Sequence, residues 1–109
     1  LPVKVQYGDF SSLYTGDMTS QGERELAERA DIDTVVLKAS HHGSRNSTSE
    51  ELVRAVTPQC VVISCGEDNM YGHPHAETLD RLADARVLRT DLMGDIRIYA
   101  RKSGKYSVK

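Results

Sequence analysis

All four histidines of this 109-residue chain fall in two short runs, Ala39-Ser40-His41-His42-Gly43-Ser44 and Tyr71-Gly72-His73-Pro74-His75. Each run follows a short β-branched apolar stretch, Val35-Val36-Leu37 for the first and Val61-Val62-Ile63 for the second. A third stretch, Leu13-Tyr14, leads into Thr15-Gly16-Asp17. If the three stretches are parallel strands, Asp17, His41, His42, His73 and His75 all emerge at one edge of a sheet. Open α/β sheets place their ligands at that edge. Carboxylates and imidazoles are together the ligands of hydrolytic metal sites. The residue types therefore point to metallohydrolase chemistry, of which this chain is expected to be a part.

Each candidate also has a plainer reading. Asp17 follows Gly16 at a strand end and precedes a helix start, so it suits an acid stabilised by the helix dipole. It equally suits a carboxylate whose two oxygens bridge two cations. The adjacent rings of His41 and His42 have no packing purpose between a buried strand and a capped helix. Gly43 permits a sharp turn or a close backbone approach there. Side chains of neighbours on an extended backbone diverge, so the pair is expected to split, one ring on metal and the other on substrate. His73 can be a helix N-cap and His75 a first-turn surface residue. A helix N-terminus also favours a neutral ring and seats phosphate, to which Tyr71 can donate a hydrogen bond.

These loops need a frame to hold them. Val3–Tyr7 and Ser11–Thr15, separated by Gly8-Asp9-Phe10, read as an antiparallel hairpin. A helix is predicted at about 20–30, with Ser20 and Glu23 as a capping box and Leu26, Ala27 and Ala30 facing inward. A strand at Thr34–Lys38 precedes the first histidine run. A helix at about 49–57 follows it, capped through Ser47/Glu50 or Thr48/Glu51 and ended by Pro58. Cys60–Ser64 is the next strand. Pro74 suits the first position of a helix at about 74–84, with Leu79, Leu82 and Ala83 inward. Arg86–Arg89 is a further strand, and Asp95–Ala100 with Tyr106–Val108 forms a hairpin turned at Ser103-Gly104. The order predicts one α/β layer with a mixed sheet and helices on one face.

Length allows one domain at most. The net charge of −2 is unlike a generic nucleic-acid surface. Arg97, Arg101, Lys102, Lys105 and Lys109 form a local basic patch that suits phosphate contact. The composition favours the simpler reading, a solvated face on exposed strands. No apolar run is long enough to span a bilayer, so no membrane contact is expected from the segment itself. The opening Leu1-Pro2-Val3, without a methionine, is expected of an excised segment. Cys60 and Cys65, at opposite ends of one strand, are expected to be free, largely buried thiols.

Leu13-Tyr14-Thr15-Gly16-Asp17, Lys38-Ala39-Ser40-His41-His42-Gly43-Ser44 and Asn69-Met70-Tyr71-Gly72-His73-Pro74-His75 resemble, in order and spacing, the C-terminal half of a metallo-β-lactamase-fold hydrolase. The resemblance is to the extracytoplasmic domain of the ComEC/Rec2 competence proteins and their stand-alone relatives. It runs through Asp91-Leu92-Met93-Gly94-Asp95, which is similar to that family's closing turn. It implies a four-layer αββα sandwich and hydrolysis of a phosphodiester, with DNA as a candidate, by hydroxide bound to two zinc or manganese ions. By the same resemblance Asp17 is the bridging carboxylate, His42 a metal ligand and His41 a substrate-facing ring, with the order of the two histidines open. Tyr71, His73 and His75 line the substrate side. The chain is placed in the extracytoplasmic part of a bacterial membrane protein, or in a secreted one.

One part of the family pattern is missing. Its His-x-His-x-Asp-His motif belongs to the N-terminal half, and the full motif occurs nowhere in residues 1–109. Residues 1–109 are thus expected to be the C-terminal portion of a divided domain, inactive alone and weak in metal binding at most. The alternative is a silent half-domain that serves binding or assembly. A sandwich cut between its sheets leaves an apolar face bare. Pairing with the missing half, or homodimerisation, is the expected remedy.

Overall fold

The computed structural model of the chain describes residues 2–29, 32–66 and 72–109. Its main sheet has five strands in sequence order: β1 (Val3–Tyr7), β2 (Phe10–Tyr14), β3 (Val36–Lys38), β4 (Cys60–Ile63) and β5 (Arg86–Arg89). β1 and β2 are antiparallel, joined at Gly8-Asp9 with Tyr7 opposite Phe10. From β2 to β5 every pairing is parallel. Parallel neighbours need a crossover, and helices α1 (Ser20–Ala27), α2 (Glu50–Val56) and α3 (Ala76–Arg81) supply one each. A short helix α4 (Thr90–Met93) follows β5, and a separate two-stranded ribbon, β6 (Ile98–Ala100) with β7 (Tyr106–Val108), ends the chain. The expected α/β layer with a mixed sheet is present.

Strand alternation sorts the core into two faces. Leu13, Leu37, Val61 and Ile63 point to one side and pack with Leu26, Leu52, Val56 and Leu82 from the helical layer. Phe10, Val36, Cys60 and Leu88 point to the other, where Ile96, Ile98, Ala100, Tyr106 and Val108 cover them. The second face is therefore not bare, as the half-sandwich argument expected, because the C-terminal ribbon folds back over it. Only its outer part stays open, with Val3, Val5, Tyr7 and Tyr14 about half exposed.

The helix starts differ from the sequence expectation. Thr19, not Ser20, caps α1, its hydroxyl accepting the Gly22 N–H at 3.1 Å. Glu23 is fully buried and turns to α2, where it accepts the N–H groups of Thr48 (2.6 Å) and Ser49 (3.0 Å). A buried helix start leaves N–H groups that need acceptors, and this carboxylate meets that need better than its own helix does. Ser49 caps α2 by accepting the Leu52 N–H at 3.2 Å, two residues after the Ser47 box and one after the Thr48 box.

Pro74 does not open α3, which starts at Ala76 with His75 at the N-cap position. The His75 N–H donates to Gly43 O at 3.0 Å, tying residues before the helix to the first histidine loop instead. Ala83 is exposed rather than inward, since α3 ends at Arg81. Ala30 lies outside the described residues. Both cysteines are free, Cys60 buried and Cys65 partly so.

Candidate functional site

The loops that leave β2, β3 and β4 meet at the C-terminal edge of the parallel strands, as the motif order predicted. They are stitched together mainly by short polar side chains. The Thr15 hydroxyl shares a hydrogen bond with Ser40 Oγ and donates to Lys38 O at 3.2 Å. Ser40 N donates to Thr48 Oγ1 (3.3 Å), and Ser47 Oγ donates to Ser40 O (3.0 Å). Ser47 and Thr48, expected as helix caps, thus hold the histidine loop. Thr78 Oγ1 donates to Ser44 O at 2.9 Å, fastening α3 to the same loop.

Within this frame Ser40–Gly43 forms a tight helical turn in which His41 (φ 46°, ψ 39°) and His42 (φ 54°, ψ 30°) are both left-handed. The backbone there is not extended, as the sequence argument had assumed. Two consecutive non-glycine residues in this region are strained, and such strain clusters at functional sites. Gly43 continues the turn at φ 85°. A Cβ on it would lie 2.6 Å from Pro74 Cβ, so its bareness lets the two histidine loops touch.

His41 Nε2 donates to Met18 O at 3.0 Å, which leaves Nδ1 facing Asp17 Oδ1 at 3.8 Å. A ring that donates at Nε2 turns its Nδ1 lone pair toward the carboxylate, so the two could share a cation as donors. Asp17 is 83% exposed and His41 40%, so the pair is open to solutes. His42 Nδ1 donates to Ser64 O at 2.7 Å, fixing its hydrogen there and leaving Nε2 with its lone pair. The His42 and His73 rings stack at 6.4 Å, and His73 meets His75 edge-on at 4.9 Å. Burial lowers the His73 pKa, and the neighbouring His75, His42 and His41 lower it further. The neutral ring expected of His73 is therefore favoured, with burial and like neighbours rather than a helix terminus as the cause. His75 Nδ1 accepts the backbone N–H of Arg45 at 2.9 Å. Tyr71 lies outside the described residues.

Sequence reading missed three contributors. Arg45 reaches His75 and pairs with Glu77 at 3.2 Å. The Lys38 ammonium, at the end of β3, is held below the usual lysine range by burial, against the opposing pull of Asp17 and Cys65. Arg89 and Asp91 form a two-point ion pair (3.0 and 2.7 Å) beside Cys65, whose thiol burial pushes up. Lys38 was legible from its place just before the first histidine run. The other two depend on contacts that spacing does not show.

Among the described residues no group of three or more His, Cys, Asp or Glu side chains converges as a metal requires. Asp17 stands beside His41, whereas His42 stacks on His73. Catalytic zinc takes three protein ligands and a two-ion centre more, so these donors alone do not make one. What the edge does present is an open carboxylate beside a string of imidazoles, with the Arg45 guanidinium at its His75 end. No helix among the described residues is long and apolar enough to cross a membrane.

No known family profile matches the chain, and no solved structure matches it. Curated proteins do. The chain is 40% identical over 108 residues to ComE operon protein 3 of Bacillus subtilis, covering 95% of this chain and 14% of that protein. It is 33% identical over 106 residues to competence protein ComA of Neisseria gonorrhoeae, covering 94% and 15%. It is 36% identical over 99 residues to recombination protein 2 of Haemophilus influenzae, covering 88% and 12%. The chain thus spans between 12% and 15% of the length of these relatives. Along nearly all of its own length it is similar to one segment of proteins of the competence type.

Proposed function

We propose that this chain is the C-terminal half of a metallo-β-lactamase-fold phosphodiesterase that acts on DNA during competence-related uptake. The observation that carries the reading is the convergence of Asp17, His41, His42, His73 and His75, from three separate loops, at one edge of the parallel strands. Competence in the name of one relative, ComA of Neisseria gonorrhoeae, supports the setting. Asp17 and His42 would supply two of the donors to a zinc or manganese pair, with the remaining donors coming from outside this chain. His41 faces the substrate. His73, His75 and Tyr71 line the phosphodiester side, where the His75 Nε2–H and the Arg45 guanidinium donate to phosphoryl oxygens. Such preorganised donors stabilise charge that builds in the transition state. The isolated chain has no turnover.

The open part of the second sheet face, around Val3, Val5, Tyr7 and Tyr14, receives the N-terminal half of the domain or, in its absence, a second copy of the chain. The complete domain is extracytoplasmic in a membrane protein, or secreted. A second reading, a silent half-domain for binding or assembly, draws on the lack of a three-ligand group among the described residues.

Metal analysis and hydrolysis of a model diester by the longer protein that contains this segment decide between them. Asp17→Asn and His42→Ala should lose metal and turnover together, and His41→Ala should keep metal and lose turnover. If His41→Ala loses metal and His42→Ala keeps it, the two histidines exchange roles. If none loses metal, the metallohydrolase reading fails.

A further inference from the structure

Charge is unevenly distributed along this acidic chain. Residues 95–109 hold five of the fourteen lysines and arginines and one of the sixteen acids, a net charge of +4. Nine basic and fifteen acidic residues remain elsewhere, a net of −6. The ribbon β6–β7 concentrates the excess on one surface. Its inner face is Ile98, Ala100, Tyr106 and Val108, all packed on the sheet. Strand alternation turns Arg97, Tyr99 and Arg101 of one strand outward, with Lys105, Ser107 and Lys109 of the other, and all six are exposed.

Pairing sets the pattern of that surface. Arg97 and Lys109 exchange backbone hydrogen bonds at 3.1 and 2.9 Å, Tyr99 lies opposite Ser107, and Arg101 N donates to Lys105 O at 2.9 Å. Two cation pairs therefore flank one aromatic ring, about 13 Å apart along the strands at ~3.3 Å per residue. Tyr99 is half exposed, with Lys109 Nζ 5.4 Å from its ring centroid. None of the ion pairs among the described residues involves these four cations. Like charges opposite each other on a ribbon are destabilising, so the surface is not arranged for stability.

The ribbon also has a direction. At its start Ile96 and Ile98 share a groove with Tyr14 and Lys38, at the ends of β2 and β3 where the histidine loops leave. At its far end Lys102 O accepts the Asp9 N–H at 2.7 Å, beside the β1–β2 turn. A polymer lying along the outer face would run toward the histidine edge.

We infer that the outer face of β6–β7, Arg97, Tyr99, Arg101, Lys105 and Lys109, is a binding track for a single strand of nucleic acid. Cations spaced along a strand meet successive phosphates, and the exposed ring between them stacks an unpaired base. A duplex hides its base faces and leaves the ring without a partner. An anionic lipid surface would engage the cations with no use for a central planar ring. This track lies outside the histidine site and needs neither metal nor hydrolysis.

Fluorescence anisotropy of a labelled oligodeoxythymidine of about 15 nucleotides, titrated with the 109-residue chain in EDTA, tests the inference. Because no metal is present, failure of the metallohydrolase reading leaves the titration unchanged. Binding should weaken with salt at a log–log slope of about −3, close to 0.7 per contacted phosphate for four cations. Arg101→Gln with Lys105→Gln should halve the slope. Tyr99→Ala should weaken binding about tenfold and Tyr99→Phe should retain it. An oligouridine bound equally well would show that either sugar is accepted. Circular dichroism, expected unchanged, checks that these surface variants fold. The inference is overturned if the duplex binds as well as the strand, or if Tyr99→Ala has no effect in a folded protein. Capture of phosphatidylserine vesicles in place of the strand would overturn it too.

Discussion

His75 Nδ1 accepts the backbone N–H of Arg45 at 2.9 Å, so the first histidine loop fixes the tautomer of a ring that belongs to the second. A neutral imidazole that accepts at Nδ1 carries its hydrogen at Nε2. His75 is therefore a donor at Nε2, a role that suits phosphate better than metal. In the longer protein His75→Ala should lower turnover about 10²-fold, the usual loss for one donor to developing charge, with metal content unchanged. Asp17→Asn should cost considerably more. Loss of bound metal in His75→Ala would mean that the ring is a ligand after all.

Gly43 and Gly16 have similar backbone conformations and should respond very differently to alanine. Both have positive φ, 85° and 61°, which disfavours any side chain by about 1–2 kcal/mol. At Gly16 a Cβ meets nothing within 4 Å, whereas at Gly43 it would press on Pro74 and Ile63. Urea unfolding should show Gly16→Ala destabilised by about 1 kcal/mol and Gly43→Ala by about 3 kcal/mol once overpacking is added. Equal losses would show that the loop around Pro74 yields easily.

Removing the Glu23 carboxylate should loosen the histidine loop from a distance. Glu23→Ala leaves the buried N–H of Thr48 without its acceptor, at about 1–3 kcal/mol, and the half-buried N–H of Ser49 at less. Glu23→Gln keeps one acceptor oxygen and should lose roughly half as much. Because Thr48 Oγ1 also accepts the Ser40 N–H, amide exchange at Ser40 should quicken in Glu23→Ala. Unchanged exchange there would separate the cap from the loop.

The Arg89–Asp91 pair should give the fold an acid-sensitive component. Arg89 holds the Asp91 carboxyl below its usual range, with desolvation opposing, and the two side chains are only 25% and 12% exposed. A depressed carboxyl contributes stability above its unfolded pKa and loses it as pH falls through the folded value. Asp91→Asn should therefore be about 1–2 kcal/mol less stable than wild type at neutral pH. The gap should close as pH falls below the usual carboxylate range of about 4. A gap that persists in acid would assign the effect to packing rather than charge.

Much of this molecule was legible before folding. Apolar stretches at Leu13, Val36 and Val61, each followed by a motif, announced parallel strands and the edge at which Asp17 and the histidines gather. The helix ends were less legible, because Ser20, Ser47 and Thr48 sit at plausible cap spacings but work elsewhere. Ser47 and Thr48 bond the histidine turn, and Glu23 caps a helix 25 residues away or more. Capping rules describe local partners, whereas a buried N–H takes whichever acceptor the packed chain brings near it.

By itself the sequence singled out Asp17 and the four histidines as candidates, and loop order showed that they would gather at one edge. Those properties follow from periodicity and covalent order, which act locally. Only the tertiary structure decided that His41 rather than His42 faces Asp17, since both take left-handed backbone in a turn held by Thr48 and Ser47. It also decided that the C-terminal ribbon covers Phe10, Val36, Cys60 and Leu88 on the second sheet face and gathers Arg97, Arg101, Lys105 and Lys109 around Tyr99. Side-chain direction in a turn and the docking of one sheet on another depend on contacts between residues distant in sequence, which no local pattern encodes.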